Sequence, residues 1–155
     1  MTMSRAQPTF DGFVTANGRQ LRQALVARFG IDIGTEVSSE ALAYAWQHWK
    51  RIEALDNPVG YLYRVGVSAA RRHHRWRRPV ALPLESAVPA ESAAEDLAHA
   101  LSRLTEHQRV CVILVHVHDW SYERTAAATG LSLPAVGNHL RRGLRRLRAE
   151  LENDR

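Results

Sequence analysis

Two arginine blocks are the residues best suited to chemistry in this chain, and the chemistry they suit is recognition of a polyanion. Arg71, Arg72, Arg75, Arg77 and Arg78 crowd together with His73, His74 and Trp76, and Arg141, Arg142, Arg145, Arg146 and Arg148 form a second block. All but one of the 21 positive residues are arginine. The planar guanidinium fork fits phosphate oxygens and guanine edges, which a lysine ammonium matches only as a point charge. A net charge of +5 and a pI near 10.1 agree with such a partner. Either block alone reads equally well as a solvated helix face. Two blocks, each closing a helical unit, favour nucleic acid.

Catalytic patterns are poor by comparison. The chain has 8 histidines, but His73 and His74 are adjacent and cannot share a helix face, and His116 and His118 miss the i, i+4 spacing of a helical metal pair. No phosphate loop, nucleophile elbow or paired carboxylate motif is present. The single cysteine, Cys111, lies in an apolar run and reads as a packed core thiol. No cofactor and no metal are expected. No apolar leader opens the sequence and no stretch has the length of a membrane span, so a cytoplasmic protein without membrane insertion is expected.

The elements that must position the arginines are helices. At 155 residues with 45% hydrophobic content the chain can build two small cores, and strand-favouring runs are scarce. Phe10, Phe13, Val14, Leu21, Leu25 and Phe29 repeat at helical spacing up to a stop at Gly30. A second helix is predicted from about Glu36 to Arg51, with Leu42, Ala45, Trp46 and Trp49 on one side. Asn57 caps a third at Pro58, whose inner face is Leu62, Val65 and Ala69 and whose end is the first arginine block, stopped by Pro79. Recurrent proline among Ala, Ser and Glu then predicts a flexible linker. Beyond it come Leu97, Leu101 and Leu104, and a capping box of Thr105 with Gln108. The domain reading is therefore 1–79, a linker over 80–96, and 97–155.

The segment from Ser121 to Leu147 has the requirements of a helix-turn-helix. Ala126 supplies a small contact, Gly130 a turn residue tolerant of positive φ, and Ser132 a cap for a helix from about Pro134 to Leu151. Val136, Leu140, Leu144, Leu147 and Leu151 occupy one sector of that helix at 100° per residue. Pro134, Ala135, Asn138, Arg141, Arg142 and Arg145 occupy the other, where asparagine suits adenine and arginine suits guanine or phosphate. The competing reading is a helical hairpin that only packs, with an arginine-rich wet side. In the first unit, Tyr61, Tyr63 and Trp76 lie among Arg64, Arg71, Arg72 and Arg75, a mixture that suits strand-separated DNA. Taken singly, either tyrosine reads as a partly buried core ring.

These residues resemble the extracytoplasmic-function (group IV) sigma factors over nearly the whole chain. Gly34 to Trp46 is similar to the family's polymerase-docking helix, which puts Glu36, Ser39 and Glu40 on core RNA polymerase. Asn57 to Val65 resembles the opening of the −10 recognition helix, which implies DNA contact by Tyr61, Arg64, Ser68, Arg71, Arg72 and Arg75. Leu101 to Arg109 resembles the start of region 4, so that the helix-turn-helix corresponds to the −35 reader. Glu36 and Ser39 stand where the family usually has Asp and Gln, Tyr61 where it has Trp, Ser68 where it has Asn, and Arg124 where it has Glu. The resemblance implies an all-α fold of two small helical domains and a non-enzymatic initiation factor for promoter DNA and core polymerase, with an anti-sigma factor as a further partner. Two alternatives stand beside it: a sigma-like DNA-binding regulator lacking autonomous initiation, and an interaction protein whose second domain serves partner binding.

Overall fold

A computed structural model describes residues 9–73 and 91–153, and every regular element among them is helical. Helix α1 (Phe10–Phe29) starts where the Thr9 hydroxyl accepts the Gly12 N–H at 3.1 Å and stops at Gly30, whose φ of 88° lies in the region that favours glycine. That turn is tighter than the sequence suggested. Helix α2 (Ile31–Gln47) begins at once rather than near Glu36, with Asp32 in its first turn. Gly34 allows it, because a Cβ there would lie 2.4 Å from the Val26 Cα. The chain breaks at His48, makes the short α3 (Trp49–Ile52), and enters α4 (Pro58–His73). The Asn57 carboxamide oxygen caps α4 by accepting the Gly60 N–H at 3.0 Å.

The first core forms where α1, α2 and α4 meet. Leu21, Leu25, Val37, Ala41, Ala45, Ile52, Leu62, Tyr63 and Ala69 are all buried there. Each fully buried leucine contributes roughly 1.5–3 kcal/mol relative to exposure. Trp46 departs from expectation at 66% exposed. The inward face of α2 is Gly34, Val37, Ser38, Ala41 and Ala45, and Trp46 sits one helical step beyond it, its ring edge against Phe10.

The second unit begins with α5 (Glu91–Ser102), so residues 91–96, assigned to the linker on composition, are helical. The rest of that linker and the end of the first arginine block, with Arg75, Trp76, Arg77 and Arg78, lie outside the described residues. Helix α6 (Glu106–Val112) carries the full capping box, Thr105 and Gln108 each bonding the other's backbone. It runs into a π-helical turn over Ile113–Val117, in which the His118 N–H donates to the Ile113 carbonyl. The extra residue in that turn carries Val117 off the apolar face, and it is 41% exposed. Helix α7 (Tyr122–Thr129) and helix α8 (Leu133–Asn153) complete the unit. The two units pack together, α1 against α6 and α4 against α7. Among the described residues no helix is long and apolar enough to cross a membrane.

Cys111 is fully buried, and burial pushes its thiol up to about 11. Only thiolate attacks thiol reagents, so at pH 8 the folded chain is expected to react far more slowly than the same chain in guanidinium chloride. A thiol-reagent time course checks this, and equal rates would place Cys111 at the surface.

Candidate nucleic-acid interface

Gly130 creates the interface. It ends α7 in the left-handed region, with φ 74° and ψ 7°, and its N–H returns to the Ala126 carbonyl at 2.9 Å. Two residues on, the Ser132 hydroxyl accepts the Ala135 N–H at 3.2 Å and starts α8. This strand-free reversal sets α8 across α7. Val136 and Leu140 then anchor α8 in the core. The contact face continues through Gly143 rather than Leu144: a Cβ at Gly143 would meet Val112 at 3.0 Å, and Leu144 is 37% exposed. The apolar stripe predicted through Leu144 therefore turns outward after Leu140, while Leu147 stays half-buried. On α7 the fully buried contacts are Thr125 and Ala128, with Ala126 half-buried beside them.

The opposite side of α8 presents the predicted set. Pro134, Asn138, Arg141, Arg142 and Arg145 are exposed, and Ala135 is half-buried. Asn138 and Arg141 are one turn apart, and the Asn138 carboxamide oxygen accepts from the Arg141 guanidinium. That pairing orients the guanidinium and leaves the carboxamide N–H donors turned to solvent. The α7 side adds Arg124, stacked 4.3 Å from the centroid of the buried Trp120 ring.

In the first unit the predicted residues separate by role. Arg64, Ser68, Arg71 and Arg72 are exposed along α4, while Tyr61 is half-buried. Tyr63 is 1% exposed and belongs to the core. Burial raises its hydroxyl above the ordinary phenol value. The Tyr61 hydroxyl lies 3.3 Å from that of Tyr44, and Arg51 donates to both. Sequence spacing gave no sign of that cluster. Of the predicted polymerase contacts, Glu36 and Ser39 are exposed on α2, and Glu40 pairs with Arg72 at 3.4 Å and His73 at 3.3 Å. Glu40 therefore braces the end of α4. Among the described residues no group of histidine, cysteine and acidic side chains could hold a metal ion.

Behind the interface, His107 on α6 stacks on His139 of α8, with ring centroids 5.2 Å apart. Burial, then the charges of Arg28 and His139, lower its pKa below the ordinary value of 6.5. Neutral His107 is thus favoured in the fold, while the unfolded chain takes up the proton near pH 6.5. Stability from this residue is complete above about pH 6.5 and declines as pH falls through it toward the depressed value. Thermal melts at pH 7.5 and pH 5.5 are expected to differ less in His107→Gln than in the parent chain, and an undiminished difference would assign the acid sensitivity elsewhere.

The fold and this surface define a class: an all-helical, two-domain protein whose second domain carries a helix-turn-helix with a basic exposed face. Residues 94–147 match the family described as Sigma-70, region 4. The chain is 35% identical over 119 residues to the RNA polymerase sigma-E factor of Streptomyces coelicolor, covering 72% of this chain and 67% of that one. It is equally similar to the protein of that name from Streptomyces antibioticus, 35% over 120 residues and the same shares. The chain belongs to the sigma-70 family of RNA polymerase sigma factors, in its extracytoplasmic-function group. Two solved structures share its fold. The sigma factor RpoE of Bartonella quintana, crystallised with the anti-sigma factor NepR, superposes with a TM-score of 0.66 at 21% identity, covering 94% of this chain and 98% of that one. CnrH, solved with the cytosolic domain of CnrY, gives a TM-score of 0.62 at 24% identity, covering 98% and 93%.

Proposed function

We infer that this chain binds core RNA polymerase in the cytoplasm and directs it to promoters, supplying recognition and catalysing nothing itself. The first unit, residues 1–79, engages polymerase through Glu36, Ser39 and Glu40. It meets the −10 element through the loop before Pro58 and through Tyr61, Arg64, Ser68, Arg71, Arg72 and Arg75. The second, from α5 onward, lays Pro134, Ala135, Asn138, Arg141, Arg142 and Arg145 of α8 in the major groove at −35. The linker sequence between them lets the two read separated elements.

The observation that carries this reading is the division of α8, with Val136 and Leu140 buried and Asn138, Arg141, Arg142 and Arg145 exposed on the other side. Phosphate contacts supply most of the affinity and position the helix, and base contacts specify. An anti-sigma factor is a further partner by analogy with the two structural neighbours, each solved with a second protein.

The test is capture of core polymerase by the tagged full chain. Retention at moderate salt, weakened by Glu36→Ala with Ser39→Ala, supports docking through α2. A second reading, a DNA-binding regulator without initiation activity, draws on the engagement of Glu40 by Arg72 and His73 within the chain. DNA binding without polymerase capture would select it.

A further inference from the structure

One flank of α8 carries a titratable group. At 100° per residue His139 falls on a single ridge with Ala135, four residues before it, and Arg142, three residues after it. Arg142 is exposed and His139 half-buried, so the imidazole stands at the border between the buried stripe of Val136 and Leu140 and the exposed face. Its inner side leans on His107 of α6, with ring centroids 5.2 Å apart and planes at 35°. That inner ring is a poor place for a proton. The buried His107 Nδ1 has no hydrogen-bond partner among the described residues, and a second N–H on the ring would leave a donor unsatisfied. Burial and then the charge of Arg28, itself paired with Glu106 at 3.1 Å, hold His107 below the ordinary 6.5; Arg71 acts the same way and Glu106 opposes. Helices α5 and α7, also packed on α8, hold Glu95, Asp96, His99, Glu123 and Arg124 at exposed positions. Two stacked imidazoles repel when both are charged, so a single proton belongs on the outer ring, His139.

We propose that His139 is a further duplex-contact residue of α8, one that takes up a proton as it meets a backbone phosphate. This rests on the sigma-factor reading, which sets α8 against the −35 duplex. A helix lying in the major groove aims its outermost face at base edges and its flanks at the phosphate walls, and the His139 ridge is a flank. There the imidazolium donates an N–H to a phosphate oxygen, a charge-assisted bond that the neutral ring matches only weakly. The polyanion therefore favours protonated His139, and by linkage a lower pH favours the duplex-bound chain. The arginines of α8 stay charged throughout and carry no such response. His139 thereby ties the grip of α8 on duplex DNA to acidity near neutrality, where histidine ordinarily titrates.

The experiment measures affinity of the full chain for a fixed pool of random-sequence duplexes at pH 8.0 and pH 6.0, across a salt series, with far-UV circular dichroism at both. The parent chain is expected to bind about fivefold tighter at pH 6.0, with a salt slope steeper there by about one. His139→Gln is expected to cut the pH response below about twofold and to bring its two salt slopes together. His139→Arg fixes a charge at that place. It is expected to be as flat in pH, and to bind at pH 8.0 as tightly as the parent does at pH 6.0. His107→Gln is expected to keep the pH response, because the inner ring holds no proton. If His139→Gln loses helicity, His139→Arg decides. A response that persists in a folded His139 variant, or that vanishes in His107→Gln, overturns the assignment. So does a parent chain with the same affinity at both pH values. A parent that binds no duplex, or whose affinity Arg141→Ala/Arg142→Ala leaves unchanged, instead overturns the placement of α8 on DNA and the role of His139 with it.

Discussion

Arg141→Ala and Arg142→Ala are each expected to lower affinity for promoter DNA by about 1–3 kcal/mol, roughly 5- to 150-fold, without moving the unfolding midpoint. Both side chains project from the solvent side of α8, one and two residues past the buried anchor Leu140. Removing them costs the fold almost nothing, because surface substitutions clear of caps and cores stay within about 0.5 kcal/mol. The loss should take one of two forms. An arginine on a base edge relaxes sequence preference at one position. An arginine on phosphate weakens all sequences alike and makes the salt dependence shallower by about one unit of slope. Because Asn138 accepts from Arg141, Asn138→Ala should reproduce part of the Arg141 effect. Affinity unchanged in both arginine variants would take α8 away from the duplex.

The second large effect concerns two glycines with opposite signs. Gly34→Ala is expected to destabilise the first unit by about 1–3 kcal/mol or more, since its methyl would fall 2.4 Å from the Val26 Cα and 2.6 Å from the Val26 nitrogen. Those are backbone atoms of a buried helix and cannot swing aside. Gly137→Ala in α8 meets nothing nearer than Tyr122 Cε2 at 3.9 Å. It should therefore gain the usual helix advantage of alanine, roughly 0.5–1 kcal/mol. Denaturant titrations of the two variants check both signs, and a neutral Gly34→Ala would mean that α1 and α2 do not cross as closely as described.

What the sequence made legible was local. Thr105 with Gln108, Asn57 before Pro58, and Gly130 followed by Ser132 each act within a few residues, and the structure builds each cap or turn where its residue types demanded. The exposed set on α8 followed from a period of 3.6 and two anchors. The misses have a common cause, which is that tertiary packing overrode a local pattern. Composition could not show that Gly34 lets α2 start at Ile31, or that a π-helical turn would carry Val117 outward. Leu144 looked like core until Gly143 took the contact with α6. The junction between the units was least accessible of all. Arg28 and Glu106 are 78 residues apart in sequence, and a buried arginine at a helix end reads locally as an ordinary charge on the final turn.

The central claim is that this chain gives core polymerase its promoters, and run-off transcription tests it most directly. Core polymerase, a genomic promoter pool and the purified full chain are combined, with Arg141→Ala/Arg142→Ala as the paired control. Transcripts that require the chain and fade in the double variant are the expected result. A folded chain that binds core polymerase or DNA and yet yields no transcript would contradict it.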